Sequence, residues 1–333
     1  MGWPSLRYQM KYRDELHRTP EILRMVIDAK PDAALAEASR VVFCGCGTSF
    51  YIAGQLANLC TAQGKSAGTV EAVAIMDSFS AVEAPGTVFV FISRSGNSME
   101  TVIAARRVRQ EGLPTFYVGC TEDSTLDREC ERSRVIGFAR ETLALESFSY
   151  GAQMLYLALI CGLDVARDSI PTGVEDALGL AHEVFTEHLS ERHIGRIIFL
   201  GAPFYMPLLK EMRLKSGEIT QKCSEEWGVL EFRHGPRSWA DEECLIAVLP
   251  GIRTYDYDKR VAKELVNYGS AVMWLGRDPI HGVLNVEWPA TKYSVEEVLT
   301  LSAFFTGLAV EIGESRGIDA AHLKNLQYAV QEL

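Results

Sequence analysis

Three short apolar runs in the first half of this 333-residue chain recur in the same order in the second half, at a nearly constant offset. Residues 41–45 (VVFCG), 88–92 (VFVFI) and 115–119 (TFYVG) correspond to 197–201 (IIFLG), 245–249 (LIAVL) and 272–276 (VMWLG). Gly45 to Gly201 is 156 positions, and Ile92 to Leu249 and Gly119 to Gly276 are each 157. Three successive matches at one step mark two copies of a single unit. Helical stretches lie between the runs, for example 101–110 after the second run and 259–268 after its counterpart. Short apolar strands alternating with helices predict a parallel sheet covered on both faces. The length suits two medium domains, each able to bury a core. The expected organisation is an N-terminal helical segment (1–40), a first α/β domain (41–168) and a second (175–333). The linker is expected near 164–176, where Arg-Asp-Ser-Ile-Pro-Thr-Gly breaks the pattern.

Composition narrows the function classes. The chain is 47% apolar and 23% charged, without a low-complexity tract or an apolar run of membrane-span length. The first residues lack an apolar signal core, and the eight cysteines show no disulfide-like spacing, which fits a reducing cytoplasm. A net charge of −11 without a Lys/Arg cluster argues against a nucleic-acid partner. A phosphorylated substrate would have to be attracted locally, against the overall field.

Such a local attraction is legible at 88–101, where an apolar strand runs into Ser93-Arg-Ser95-Gly-Asn97-Ser98 and then into a helix. Backbone N–H groups at a helix N-terminus point at an anion, and the hydroxyls of Ser93, Ser95 and Ser98 can add hydrogen bonds. Arg94 is a candidate cation. Part of the pattern is ordinary capping, with Asn97 and Glu100 as a capping pair; three serines around one glycine exceed what a cap needs. At the matching position the second copy has Pro250-Gly-Ile-Arg-Thr-Tyr-Asp256, so the first copy is expected to carry the phosphate. Parallel sheets bind ligands beyond the carboxyl ends of their strands, where the serine loop and Gly45-Cys-Gly47-Thr48-Ser49 both fall.

Other motifs carry less. Gly45-Cys-Gly-Thr-Ser-Phe50 begins like a dinucleotide fingerprint with Glu71 as the ribose acid, but Phe50 stands where the third glycine belongs. Gly64-Lys65-Ser66 resembles the end of a P-loop whose first glycine is replaced by Leu59. Cys44 and Cys46 lack clustered partners for zinc and read as structural thiols. His182 and His188 are six apart, on different helix faces, and read as surface residues. No metal or cofactor is expected. In the second half, Lys215 and Glu218 share a helical face, which a surface ion pair would also explain. His234-Gly-Pro236 is a loop that could aim an imidazole.

Taken together, Gly45-Cys-Gly-Thr-Ser49, Ser93-Arg-Ser-Gly-Asn-Ser98, Lys215 with Glu218-Ile, and Glu231-Phe-Arg-His-Gly-Pro236 resemble the sugar isomerase (SIS) domain family. The likeness is greatest to the isomerase part of glucosamine-6-phosphate synthase, from about Met10 onward, and Glu15-Leu16 with Pro20 resembles that family's opening helix. The resemblance implies two tandem SIS domains, each a parallel sheet flanked by helices in a flavodoxin-like three-layer sandwich. It also implies that Ser49, Ser93, Ser95 and Ser98 hold a sugar phosphate, with Gly47, Thr48 and Tyr328 nearby and Arg94 in place of a usual glutamine. The match to Glu218 is the base that moves a proton between C1 and C2. The match to His234 opens the ring from the neighbouring subunit, so a homodimer is implied.

Two departures shape the expected activity. The family's amidotransferase starts with a glutaminase half, whereas here position 2 is Gly and the SIS region begins at once, so glutamine is not expected to supply nitrogen by that route. Tyr328 aligns with a lysine that forms a Schiff base with the ketose, which a tyrosine cannot do. The expectation is a phosphosugar isomerase or deaminase that moves a proton in a hexosamine 6-phosphate or related amino-sugar phosphate, losing ammonia or an amine. Aldose–ketose interconversion needs a carboxylate shuttle, a ring opener and a cation near the oxyanion, roles that Glu218, His234 and Lys215 can fill. The alternatives are a deglycase for fructosamine 6-phosphates and a non-catalytic sugar-phosphate sensor.

Overall fold

A computed structural model describes residues 11–78, 86–288 and 292–328. The first half runs α1 (Tyr12–Leu16), α2 (Thr19–Asp28), β1 (Arg40–Gly45), α3 (Thr48–Ala62), β2 (Ala67–Glu71), α4 (Ala72–Ser78), β3 (Thr87–Ile92), α5 (Met99–Gln110), β4 (Thr115–Gly119), α6 (Thr125–Glu129), β5 (Arg132–Val135) and α7 (Phe148–Ile160). The second runs α8 (Ile170–Val184), β6 (Arg196–Gly201), α9 (Met206–Thr220), β7 (Cys223–Gly228), β8 (Cys244–Leu249), α10 (Tyr255–Val266), β9 (Ala271–Leu275), β10 (Leu284–Val286) and α11 (Val295–Glu314). The six repeated runs are therefore β1, β3, β4, β6, β8 and β9.

Among the described residues the strands form two five-stranded sheets, ordered β2-β1-β3-β4-β5 and β10-β9-β8-β6-β7. All pairings in both are parallel. Read from its other edge, the second sheet is 7-6-8-9-10, which is the first sheet's order repeated. The duplication seen in the sequence is thus a duplication of topology. In each copy the order reverses beside the first strand, between β1 and β3 and between β6 and β8, and a reversal of this kind opens a crevice at the strands' carboxyl ends.

Side-chain alternation explains why both faces of each sheet are covered. Val90 and Ile92 join a central core, while Phe89 and Phe91 join a smaller core with Ala104, Ala105 and Val108 of α5. Likewise Leu245, Ala247 and Leu249 face the central core, whereas Ile246, Val248 and Trp274 pack with Val261 and Leu265 of α10. The central core takes residues from both halves, including Ile52 and Leu56 of α3, Leu208 and Met212 of α9, and Phe304 and Leu308 of α11. One apolar interior thus fixes the two sheets relative to each other.

Local sequence sets some element ends differently from the expectation. Pro171, read as part of a linker, stands in the first turn of α8, where a missing N–H costs nothing. The N-cap of α5 is Ser98, not Asn97; the Asn97 side chain instead accepts from Thr125 N at 3.0 Å and Thr125 Oγ1 at 2.9 Å. Glycine is required at position 96, where φ is +64° and a Cβ would lie 2.1 Å from Ser124 Oγ and 2.6 Å from Tyr117 Oη.

Candidate functional site

Adjacent strands β1 and β3 bring the two expected loops to one edge of the first sheet. Gly47, at φ +52°, turns the chain into α3, whose first two residues are Thr48 and Ser49, both buried. Beside it Ser93 Oγ accepts from Gly96 N at 3.1 Å and Ser95 Oγ accepts from Asn97 N at 3.2 Å. Both hydroxyls therefore act as acceptors toward the loop and keep an O–H to donate. Ser98 occupies the N-cap without a side-chain cap bond, so its hydroxyl is not spent on the helix end.

The matching loop of the second copy is closed on itself. Asp258, 1% exposed, accepts from Gly251 N at 2.9 Å and from Thr254 Oγ1 at 2.6 Å. An internal carboxylate thus takes up donors at the counterpart position.

Arg94, the candidate cation of the loop, is held by groups of the protein itself. Its guanidinium is 5% exposed and bonds Glu141 Oε2 at 3.0 Å, the carbonyls of Leu143 and Ala144 at 3.2 and 2.7 Å, and the carbonyl of Tyr328 at 3.1 Å. The Tyr328 ring lies under it, 4.2 Å from ring centre to guanidinium carbon. A guanidinium with both terminal nitrogens so engaged is a structural tie between the serine loop, the 141–147 turn and the C-terminal segment.

The second half contributes α9. Lys215, 4% exposed, lies 3.4 Å from Glu211 Oε1 and 4.0 Å from Glu218 Oε2, and its ammonium donates across the two halves to Thr48 Oγ1 at 3.5 Å. Lys215 and Glu218 thus belong to a buried cluster and not to a surface pair. Glu218 is partly exposed, and its Oε2 finds no hydrogen-bond partner among the described residues. His234 ends the short turn Glu231–His234 and is exposed. No hydrogen bond or ion pair among the described residues joins it to Glu218 or Lys215.

Three acids escaped the sequence reading: Glu141, Glu146 and Glu211. Each cation of the site is flanked by two carboxylates, Arg94 by Glu141 (3.0 Å) and Glu146 (3.6 Å), Lys215 by Glu211 and Glu218. Glu211 stands one turn before Lys215 on α9, a spacing visible in the sequence. Glu141 and Glu146 lie on an irregular turn with no local signal.

Burial is the main cause that pushes the carboxyls of Glu146, Glu211 and Glu218 above the usual range; Lys215 opposes it in all three. The native state then holds these protons to higher pH than the unfolded chain does, so their contribution to stability falls as pH rises from about 4.5 through the raised values. Glu211→Gln is expected to remove one such titration. In urea melts from pH 4 to 7 the variant should gain on wild type as pH rises, and parallel curves would contradict the assignment.

Among the described residues no group of three or more His, Cys, Asp or Glu side chains is arranged to hold a metal. Cys44 is buried and Cys46 half-buried, and burial pushes the Cys46 thiol up to about 11. His182 and His188 are exposed, the former 3.0 Å from Glu311. No helix is long and apolar enough to cross a membrane, among the described residues.

A doubly wound α/β scaffold thus carries a serine-rich loop at the switch point of its first sheet. Residues 34–160 match the family model described as the SIS domain. The chain is 24% identical over 324 residues to glutamine–fructose-6-phosphate aminotransferase (isomerizing) of Campylobacter jejuni, covering 92% of this chain and 54% of that protein. It is 26% identical over 327 residues to the Streptomyces coelicolor protein of the same name, covering 90% and 53%. The chain spans about half the length of these curated relatives. Among solved structures it resembles the C-terminal domain of glucosamine-fructose-6-phosphate aminotransferase from Francisella tularensis (TM-score 0.81, 20% identity, 96% of this chain and 99% of that one). It also resembles glucosamine-6-phosphate deaminase from Thermotoga maritima (TM-score 0.79, 19% identity, 95% and 97%). These likenesses establish the fold.

Proposed function

We propose that the chain is a phosphosugar enzyme acting on a hexosamine 6-phosphate or related amino-sugar phosphate, by aldose–ketose proton transfer with loss of ammonia or an amine. The observation that carries this reading is the bond from Lys215 Nζ to Thr48 Oγ1. It sets α9, with Glu218 one turn further on, beside the edge of the first sheet where the serines gather.

In this reading the phosphate sits on the backbone amides and hydroxyls of Ser49, Ser93, Ser95 and Ser98, with Gly47 and Thr48 lining the approach. Glu218 takes the proton from the amine-bearing carbon beside the open-chain carbonyl, and the electron pair moves onto the carbonyl oxygen, which gains a proton. The same carboxyl returns its proton to the former carbonyl carbon as the amine gives up an N–H proton and becomes an imine, and water hydrolyses that imine to the ketose and free ammonia or amine. Lys215 steadies the oxyanion of the intermediate. His234, exposed in its own subunit, opens the sugar ring in the crevice of a partner copy, so the working form is a homodimer. The chemistry needs no cofactor.

The test is turnover of glucosamine 6-phosphate and fructosamine 6-phosphates, followed by ammonia, amine and ketose release. Absence of product from every one of these substrates would overturn the enzyme reading. Ser95→Ala combined with Ser98→Ala is expected to raise KM for phosphorylated substrates on the order of 100-fold, because two hydrogen bonds to a charged group are lost. The same variant should lose no more than about 1 kcal/mol of stability. An unchanged KM in a normally stable double variant would remove the phosphate from this loop.

A further inference from the structure

We propose that Glu146 is the residue that selects a protonated amine on the phosphosugar. The proposal rests on the reading of the site as a phosphosugar site and names the feature of the substrate that it recognises.

Four carboxylates, Glu141, Glu146, Glu211 and Glu218, surround two cations, Arg94 and Lys215, within 4.0 Å of them. The acids outnumber the cations by two in a buried cluster beside the loop assigned to a phosphate, and a cation arriving there favours their ionised form. A neutral sugar phosphate would add its own negative charge to that surplus, whereas a substrate bearing an ammonium offsets it. Removing charges from water is costly unless they are paired, so this surplus favours a cationic ligand group.

The four acids are not equally free to accept that group. Glu141 is closed: its two oxygens accept from Ser147 N, Ser147 Oγ, Ser149 N, Ser149 Oγ and Arg94, and its side chain has no exposure. Glu211 is 1% exposed, and neither oxygen makes a hydrogen bond of good geometry among the described residues. It lines a water-sized internal cavity with Glu146, Ser147 and Lys215. Glu218 is the proposed proton shuttle.

Glu146 has acceptor capacity left. Its carboxylate lies 3.4 Å from Ser149 Oγ, whose one proton serves Glu141 at 2.9 Å, and faces Arg94 Nε at 3.6 Å, too far for a proper hydrogen bond. Arg94 Nε, in a side chain 5% exposed, is correspondingly without a hydrogen-bond partner among the described residues. Of the four acids, Glu146 is therefore the one that is loosely paired, partly reachable at 12% side-chain exposure, and not assigned to the proton transfer. An ammonium on the bound sugar would complete its shell.

The experiment measures calorimetric Kd at pH 7 for glucosamine 6-phosphate, its N-acetyl derivative and glucose 6-phosphate, on wild type and on Glu146→Gln. All three ligands carry the same phosphate, and only the first carries an ammonium. Wild type is expected to bind the amine at least ~10-fold more tightly than either neutral ligand, as a charge-assisted hydrogen bond implies. Glu146→Gln is expected to bring the three within about 3-fold, leaving the neutral ligands nearly unchanged. Equal affinities in wild type, or a preference that survives in Glu146→Gln, overturn the proposal. Equal affinities in the wild-type series overturn the proposal even if Glu146→Gln does not fold, and Glu146→Asp then takes its place, with the amine preference expected to fall. A preference that collapses in Glu146→Gln while no substrate is turned over would spare this inference and remove the enzyme reading instead; turnover lost in Glu218→Gln with an unaltered preference in Glu146→Gln would do the reverse.

Discussion

Glu218→Gln is expected to lower kcat by roughly 10²- to 10⁴-fold, the range attributed to a positioned acid–base group, while leaving Kd for phosphorylated sugars within a few-fold. Gln keeps the shape of the side chain and its place one turn beyond Lys215, but it cannot carry a proton from one carbon to the next. Burial pushes the Glu218 carboxyl above its ordinary value, and Glu146 pushes it in the same direction, while Lys215 and Arg94 oppose them. A base tuned upward in this way holds its proton longer, so the acidic limb of the pH–rate profile is expected above the ordinary carboxylate range. Stopped turnover with intact binding supports the assignment. Residual activity above a tenth of wild type would show that another group moves the proton.

Arg94→Ala should be the most damaging single change to stability, at about 3–5 kcal/mol, the cost of breaking a buried pair and leaving its partner charged. The loss arises mainly at Glu141, which has no side-chain exposure and sits 3.0 Å from the guanidinium. Serine donors remain to it, but the neutralising charge does not. Three carbonyls, including that of Tyr328, lose their donor as well. Urea melts at pH 7 measure the effect, and a loss below about 1 kcal/mol would mean that Arg94 is not the tie described.

Much of the architecture could be read in advance because strands buried on both faces must be nearly continuous apolar runs, and such runs stand out against helical stretches. Val88 to Ile92 and its counterpart Leu245 to Leu249 satisfied that condition, and their common offset revealed the duplication. β2 (Ala67–Glu71) and β7 (Cys223–Gly228) did not, being half-exposed and mixed in character. Their register comes from pairing with β1 and β6 and not from their own pattern. In the site, Ser93, Ser95, Ser98, Lys215 and Glu218 were visible because loop and helix spacing place them locally. The partner of Arg94 was not, since Glu141 is 47 positions away and only the tertiary fold brings it within 3.0 Å. A cation in a candidate anion loop naturally reads as a ligand for the anion. Whether it is already engaged depends on packing that no local pattern encodes.

The closed loop at Asp258 has a consequence for the duplicated design. Where the serine loop leaves hydroxyl donors to a diffusing molecule, its counterpart binds a tethered counter-ion, the chain's own carboxylate, held at 2.6 and 2.9 Å. Because that ion is covalently attached, its effective concentration exceeds that of any solute, and competing anions are kept out. The second copy has in this way become a fixed bracket that aims α9, so under the proposed reading of the serine loop the expected stoichiometry is one phosphosugar per chain.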